Sequence, residues 1–185
     1  VIKGNADGTL EVTVAIPPRV TDLEVGANPQ ALVAADFNAD GHMDVATANG
    51  GTQNISLLWG SGNDFATGVT LLEHDPLNPA DTIDMGLDLD TIATGMLDSD
   101  LRPDLVVNTP NTDQVHVILN RAGREFAASQ PYEVGDEPRA LLLRDLNNDS
   151  ALDIVTANVG SNDFSVSLGI QGLIDTGQFE EIFRG

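Results

Sequence analysis

Asp36, Asn38, Asp40 and Asp44 occupy positions 1, 3, 5 and 9 of a nine-residue phrase, and Asp145, Asn147, Asp149 and Asp153 occupy the same positions of another. Oxygens at alternate positions of a tight loop point to one side, where they can share a hard divalent cation. Calcium (Ca2+) takes about six to eight oxygens at roughly 2.3–2.6 Å in a flexible shell, which suits such a set. The main-chain carbonyls at position 7, those of His42 and Ala151, are expected to add a ligand before Asp44 or Asp153 completes each shell. Without a cation the three carboxylates of each loop repel one another. Gly41 supplies the backbone freedom to turn back, whereas Ser150 replaces it in the later phrase and predicts a strained turn. The alternative is a metal-free acidic turn held by its own Asx hydrogen bonds.

A degraded copy lies between them. Met96 stands where position 1 requires an oxygen, and Leu101 stands at the glycine position. Asp98, Asp100 and Asp104 remain as a weaker ligand set, and this loop is expected to be empty rather than filled. No Glu at position 12 and no flanking helical period accompany any of the three, so EF-hand chemistry is a poor match.

Short apolar runs position the loops. Aligned on the last Asp of each phrase, Asp44, Asp104 and Asp153 fall 60 and 49 residues apart. An apolar run leads into each loop (31–34, 91–94, 140–143), a second leaves it (45–49, 105–108, 154–158), and a third follows a polar turn (55–59, 115–119, 165–168). A Gly-containing turn and a weaker fourth run close each unit. Runs of four to six aliphatic and β-branched residues bounded by Gly, Asn and Asp read as strands, and no stretch keeps a helical period. The fold is therefore expected to be all-β, in four-stranded antiparallel blades. The units run over 25–85, 86–133 and 134–185, and 1–24 reads as the tail strands of a preceding blade. Residues 72–85 read as an inserted loop, because Pro76 and Pro79 argue against regular structure there. The opening inside a strand-like phrase leads to the expectation of a processed or excised piece of a longer chain.

Composition narrows the function. An apolar share of 41% permits a core, while a formal charge of -21 repels phosphate backbones and anionic lipid surfaces. Nucleic acid is therefore excluded as a partner, and no run approaches the ~20 apolar residues of a membrane span. Of the 29 acidic residues 21 are Asp, and Lys3 is the only lysine; loops rich in ion ligands account for this, and a salty habitat is a second reading. The chain has no cysteine, so an extracellular protein of this kind would need a metal as its staple.

The phrase Asp36-Phe37-Asn38-Ala39-Asp40-Gly41-His42-Met43-Asp44, between its two apolar runs, resembles the FG-GAP or VCBS repeats of integrin-like β-propellers, and the likeness extends over nearly the whole chain. The resemblance implies calcium in the loop joining the first two strands of a blade, a secreted or cell-surface location, and protein or glycan ligands. Complete propellers of that family carry more blades than the three and a remnant read here, so a partial propeller is expected. No catalytic set stands out. His42, His74 and His116 fall in a loop, the insertion and a strand, and close carboxylate pairs belong to the loops. Trp59 reads as packing between blades in preference to a sugar platform. The expectation is a non-catalytic recognition or scaffold module, with the segment 73–84 as its most individual contact. The alternatives are an accessory domain of a secreted polysaccharide-active enzyme, or a subunit pairing with neighbouring subunits in a cell-surface assembly.

Overall fold

The structure, a computed structural model, describes residues 2–4, 10–12, 23–64, 69–73, 81–169 and 179–184. It is all-β, and every strand pairing is antiparallel. No helix among the described residues is long and apolar enough to cross a membrane.

β1 (Ile2–Gly4) and β2 (Leu10–Val12) form a ladder of their own. They are the described part of the segment read as tail strands; the rest of 1–22 lies outside the described residues. The first large sheet contains β3 (Pro29–Ala35), β4 (Asp44–Asn49) and β5 (Asn54–Asp64) in sequence order. Two strands share the far side of β5: β6 (Val69–Glu73) pairs with its later half and β7 (Thr82–Asp84) with Asn54–Ser56. Part of the stretch read as an inserted loop is thus strand. Thr82–Asp84 is the strand beside Asn54–Ser56, and the prolines fall in 74–80, outside the described residues. Period reasoning missed β7 because three residues are too few to show alternation.

β8 (Ile92–Gly95), β9 (Asp104–Thr109), β10 (Gln114–Ile118) and β13 (Gln130–Glu133) make the second sheet, and β11 (Asn120–Arg121) with β12 (Glu125–Phe126) forms a small hairpin between its last two strands. β14 (Pro138–Arg144), β15 (Asp153–Asn158), β16 (Asp163–Gly169) and β17 (Phe179–Arg184) follow as the third sheet, again in sequence order. Each apolar run picked out by spacing falls in a strand, to within a residue or so at its ends.

The sheets lie in series around two cores. Phe37, Ile55, Leu57 and Trp59 of the first meet Leu105, Val107 and Ile118 of the second. The opposite face of the second sheet presents Val106, Val115 and Val117 to Ile154, Leu141 and Leu143 of the third. Alternation along a strand sends neighbours to opposite faces, so β9 is buried along its whole length, with Leu105, Val106 and Val107 as its apolar centre. β14, covered on one side, alternates instead.

Candidate metal centre

Each acidic loop joins the first two strands of its sheet. In the first, the Asp40 N–H donates to both Asp36 Oδ1 (3.1 Å) and Asn38 Oδ1 (3.0 Å), so oxygens from positions 1 and 3 meet at one point. Gly41 N–H donates to Asp36 Oδ2 (2.9 Å), and His42 N–H to Asp40 Oδ1 (2.8 Å). The Asn38 amide closes the group on Asp40 Oδ2 at 2.9 Å. The third loop repeats this plan. Asp149 N–H reaches Asp145 Oδ1 (3.3 Å) and Asn147 Oδ1 (3.0 Å), Ser150 N–H reaches Asp145 Oδ2 (3.0 Å), and Ala151 N–H reaches Asp149 Oδ1 (2.8 Å). Asn147 donates to Asp149 Oδ2 at 2.9 Å, and Asn148 N–H adds a bond to Asp145 Oδ1 (2.7 Å).

The backbone matches as well. Ala39 and Asn148 are left-handed (φ 60° and 61°), and so are Gly41 and Ser150 (φ 87° and 72°). A non-glycine residue held there costs roughly 1–2 kcal/mol, which is the strain the serine introduces. Asp40 is held below the usual carboxylate range, chiefly by the His42 N–H.

Position 9 also ties the loop to its sheet. Asp44, Asp104 and Asp153 are completely buried. Asp44 accepts Phe37 N–H (2.8 Å) and Gly60 N–H (2.7 Å); Asp104 accepts Leu97 N–H (2.7 Å) and Asn120 N–H (2.8 Å); Asp153 accepts Leu146 N–H (2.7 Å) and Gly169 N–H (3.0 Å). Both oxygens of each carboxylate therefore bind main chain, tying the loop to the third strand of its sheet or to the residues that follow it. Burial pushes Asp44 up and Asp104 up to about 6, against the pull of these N–H donors. Sequence spacing recognised these residues only as the last ligand. Their isolation between apolar neighbours was the available sign of a buried role.

The middle loop is closed by arginine. Asp100 N–H donates to Asp98 Oδ1 (3.0 Å) and Arg102 N–H to Asp100 Oδ1 (2.9 Å), as at the equivalent bonds elsewhere. The Arg102 guanidinium then donates to Asp100 Oδ2 (2.8 Å), and that of Arg121 lies 3.4 Å from Asp98 Oδ2. Two guanidinium groups thus supply positive charge at this loop, and exposed Met96 brings no oxygen at position 1. Burial raises Asp98, helped by the nearby Asp100 charge. For Asp100 the same upward push is outweighed by the Arg102 N–H, the Asp98 carboxyl and the Arg102 side chain, leaving it low. Leu101 takes the glycine position with φ 62°.

The donors of the first and third loops fit a hard cation. They are oxygens only, and Asp36, Asn38 and Asp40 touch as neighbours, as do Asp145, Asn147 and Asp149. Those six would hold an ion; His42 and Ala151 sit at position 7 with their N–H groups turned to the position 5 carboxylate. Among the described residues no group of three or more His, Asp or Glu side chains is assembled as a metal cage. The middle loop does not fit, because its carboxylates face guanidinium.

A cleft of about 520 Å³ lies between β7 and the β11–β12 hairpin, lined by Leu57, Thr82, Ile83, Arg124 and Phe126 among others. Trp59 is buried beside it, with its indole N–H on Asp81 (2.6 Å) and the Arg124 guanidinium 4.7 Å above its ring. An indole held this way packs the core and has no face for a sugar. No protein-family model matches the chain, and no curated protein matches it.

Proposed function

We propose that the chain is a calcium-stabilised, non-catalytic recognition or scaffold module of the extracellular space. Its three sheets would be successive blades of an integrin-like β-propeller, and its ligand a protein or a glycan. The observation that carries this reading is the five hydrogen bonds that the first and third loops share, each loop set between the first two strands of its sheet. Bound calcium would neutralise the position 1 and position 5 carboxylates. The chain's own residues do the remainder: the N–H groups at positions 5, 6 and 7 hold the carboxylates in place, and the buried Asp44 and Asp153 fix each loop to its sheet. The cleft beside Thr82–Asp84 supports the segment 73–84 as the ligand contact.

Melting the chelated protein with added calcium, and with magnesium as control, tests the reading. An ion at ten times its Kd stabilises by about 1.4 kcal/mol per site. The melting temperature is expected to rise with calcium alone, and the rise to shrink in Asp36→Ala and Asp145→Ala and vanish in the double variant. No calcium-specific shift at millimolar concentration would reduce the loops to Asx turns.

A further inference from the structure

We infer that the cleft between β7 and the β11–β12 hairpin binds a peptide, through an apolar side chain that enters it and a carboxylate that takes the Arg124 guanidinium. The inference deepens the functional reading: it rests on the cleft as the ligand contact, and not on the cation.

Arg121 pairs with Glu125 across the hairpin, so Ala122, Gly123 and Arg124 form its turn. Gly123 and Arg124 are both left-handed there (φ 80° and 70°). Glycine or asparagine meets that demand more easily than arginine, so the turn holds this side chain against its backbone preference. The guanidinium lies over the Trp59 ring at 4.7 Å, and the indole is itself fixed by its bond to Asp81 (2.6 Å). Its position is thus set before a ligand arrives. Arg102, Arg121 and Arg139 each pair with a carboxylate. The Arg124 guanidinium has no ion pair or hydrogen bond among the described residues, in a chain with 29 Asp and Glu. Stacking uses the face of a guanidinium and leaves its edge, a fork of N–H donors that fits a carboxylate bidentately.

The rest of the cleft selects the occupant. Leu57, Ile83 and Phe126 make it apolar, and Phe126 is set edge-on to Phe37 with ring centres 6.1 Å apart. A volume of about 520 Å³ admits an apolar side chain, whereas the buried indole leaves a sugar no ring to stack on. Asp84 and Glu125 line the same cleft and are exposed. They and the formal charge of -21 repel a polyanion. A neutral or basic peptide with one carboxylate beside its apolar side chain meets both signs of charge.

Nitrogen–proton correlation spectra of the labelled full chain test this, because Trp59 is the only tryptophan and its indole N–H gives a single signal beside Arg124. The probes are N-acetyl-leucine, its uncharged amide, and glucuronate, each taken to high millimolar concentration. N-acetyl-leucine is expected to shift the Trp59 indole and Arg124 Nε signals saturably. The amide should bind at least about tenfold more weakly, since it lacks the charged acceptor, and glucuronate should leave both signals in place. In Arg124→Gln the acid should bind no better than the amide; should that variant not fold, the comparison of acid and amide on the wild-type chain decides alone. An amide that binds as tightly as the acid, or glucuronate that matches it, overturns the inference and leaves the cleft a ligand contact of another kind. Signals that stay still with every probe overturn it together with the cleft's part in the functional reading, while a calcium-specific rise in melting temperature would leave the rest of that reading standing.

Discussion

Ser56 and Ser165 occupy matching places in the first and third sheets and accept matching bonds. Gly26 and Gly135 donate their N–H groups (3.1 and 3.0 Å), and the amides of Asn49 and Asn158 donate at 3.0 and 2.9 Å. The middle sheet has His116 at that place, opposite Val107 and Pro131, and Thr109 where the asparagine would stand; the Thr109 hydroxyl donates to the Gln114 carbonyl instead (3.1 Å). His116 is buried, and neither ring nitrogen has a hydrogen-bond partner among the described residues. Burial holds its pKa below the ordinary imidazole value. The unfolded chain therefore takes the proton first, so this residue's contribution to stability is complete above about pH 6.5 and is lost as pH falls toward the depressed value. His116→Leu removes that loss and an unsatisfied polar group, and should stabilise by about 1 kcal/mol at neutral pH and by more at pH 5. Urea midpoints at the two pH values check this; a gain no larger at pH 5 would show that His116 does not titrate. Asp104 works with the opposite sign. Its pKa is raised to about 6, so its share of stability is complete below about pH 4 and is lost as pH rises through 6.

At the level of the loop and its two strands, the buried Asp separates a metal ligand from a structural tie. If Asp153 acts through Leu146 and Gly169, Asp153→Asn leaves one N–H facing an amide donor whether or not calcium is present. Loss of a bond to a charged acceptor costs about 1.5–3 kcal/mol, and a fall in stability of that order is expected in chelator as well as in calcium. A loss confined to calcium buffer would make Asp153 a ligand first. Strands and loops were legible because both rest on short-range pattern. Runs such as Leu105-Val106-Val107 and Ile154-Val155 announce strands, and Asp36, Asn38 and Asp40 announce converging oxygens. The closing of the middle loop was only half legible. Arg102 is two residues from its carboxylate and could have been noticed, but Arg121 reaches Asp98 across a fold that spacing does not reveal. The tie made by Asp44 likewise depends on Gly60, sixteen residues away and in register only once β4 and β5 have paired.

For the whole molecule, repeat spacing indicated consecutive sheets, but not which faces would be covered. That follows from packing: Val33 and Leu142 are alike in sequence position and unlike in surroundings. Among the described residues the second sheet meets a neighbouring sheet on each face, and β9 is buried from Asp104 to Thr109. Solvent must therefore wait for both flanking sheets to part before it reaches these amides, whereas the outer sheets open singly. In deuterium exchange, peptides covering β9 should be the last to take up label, and those covering β3 and β14 should fill earlier and independently. Equal rates throughout would mean that the three sheets open together. Such a gradient makes the centre of the row the slowest clock in the chain, and a protease working on the native protein would remove the ends as separate pieces before it cut the middle.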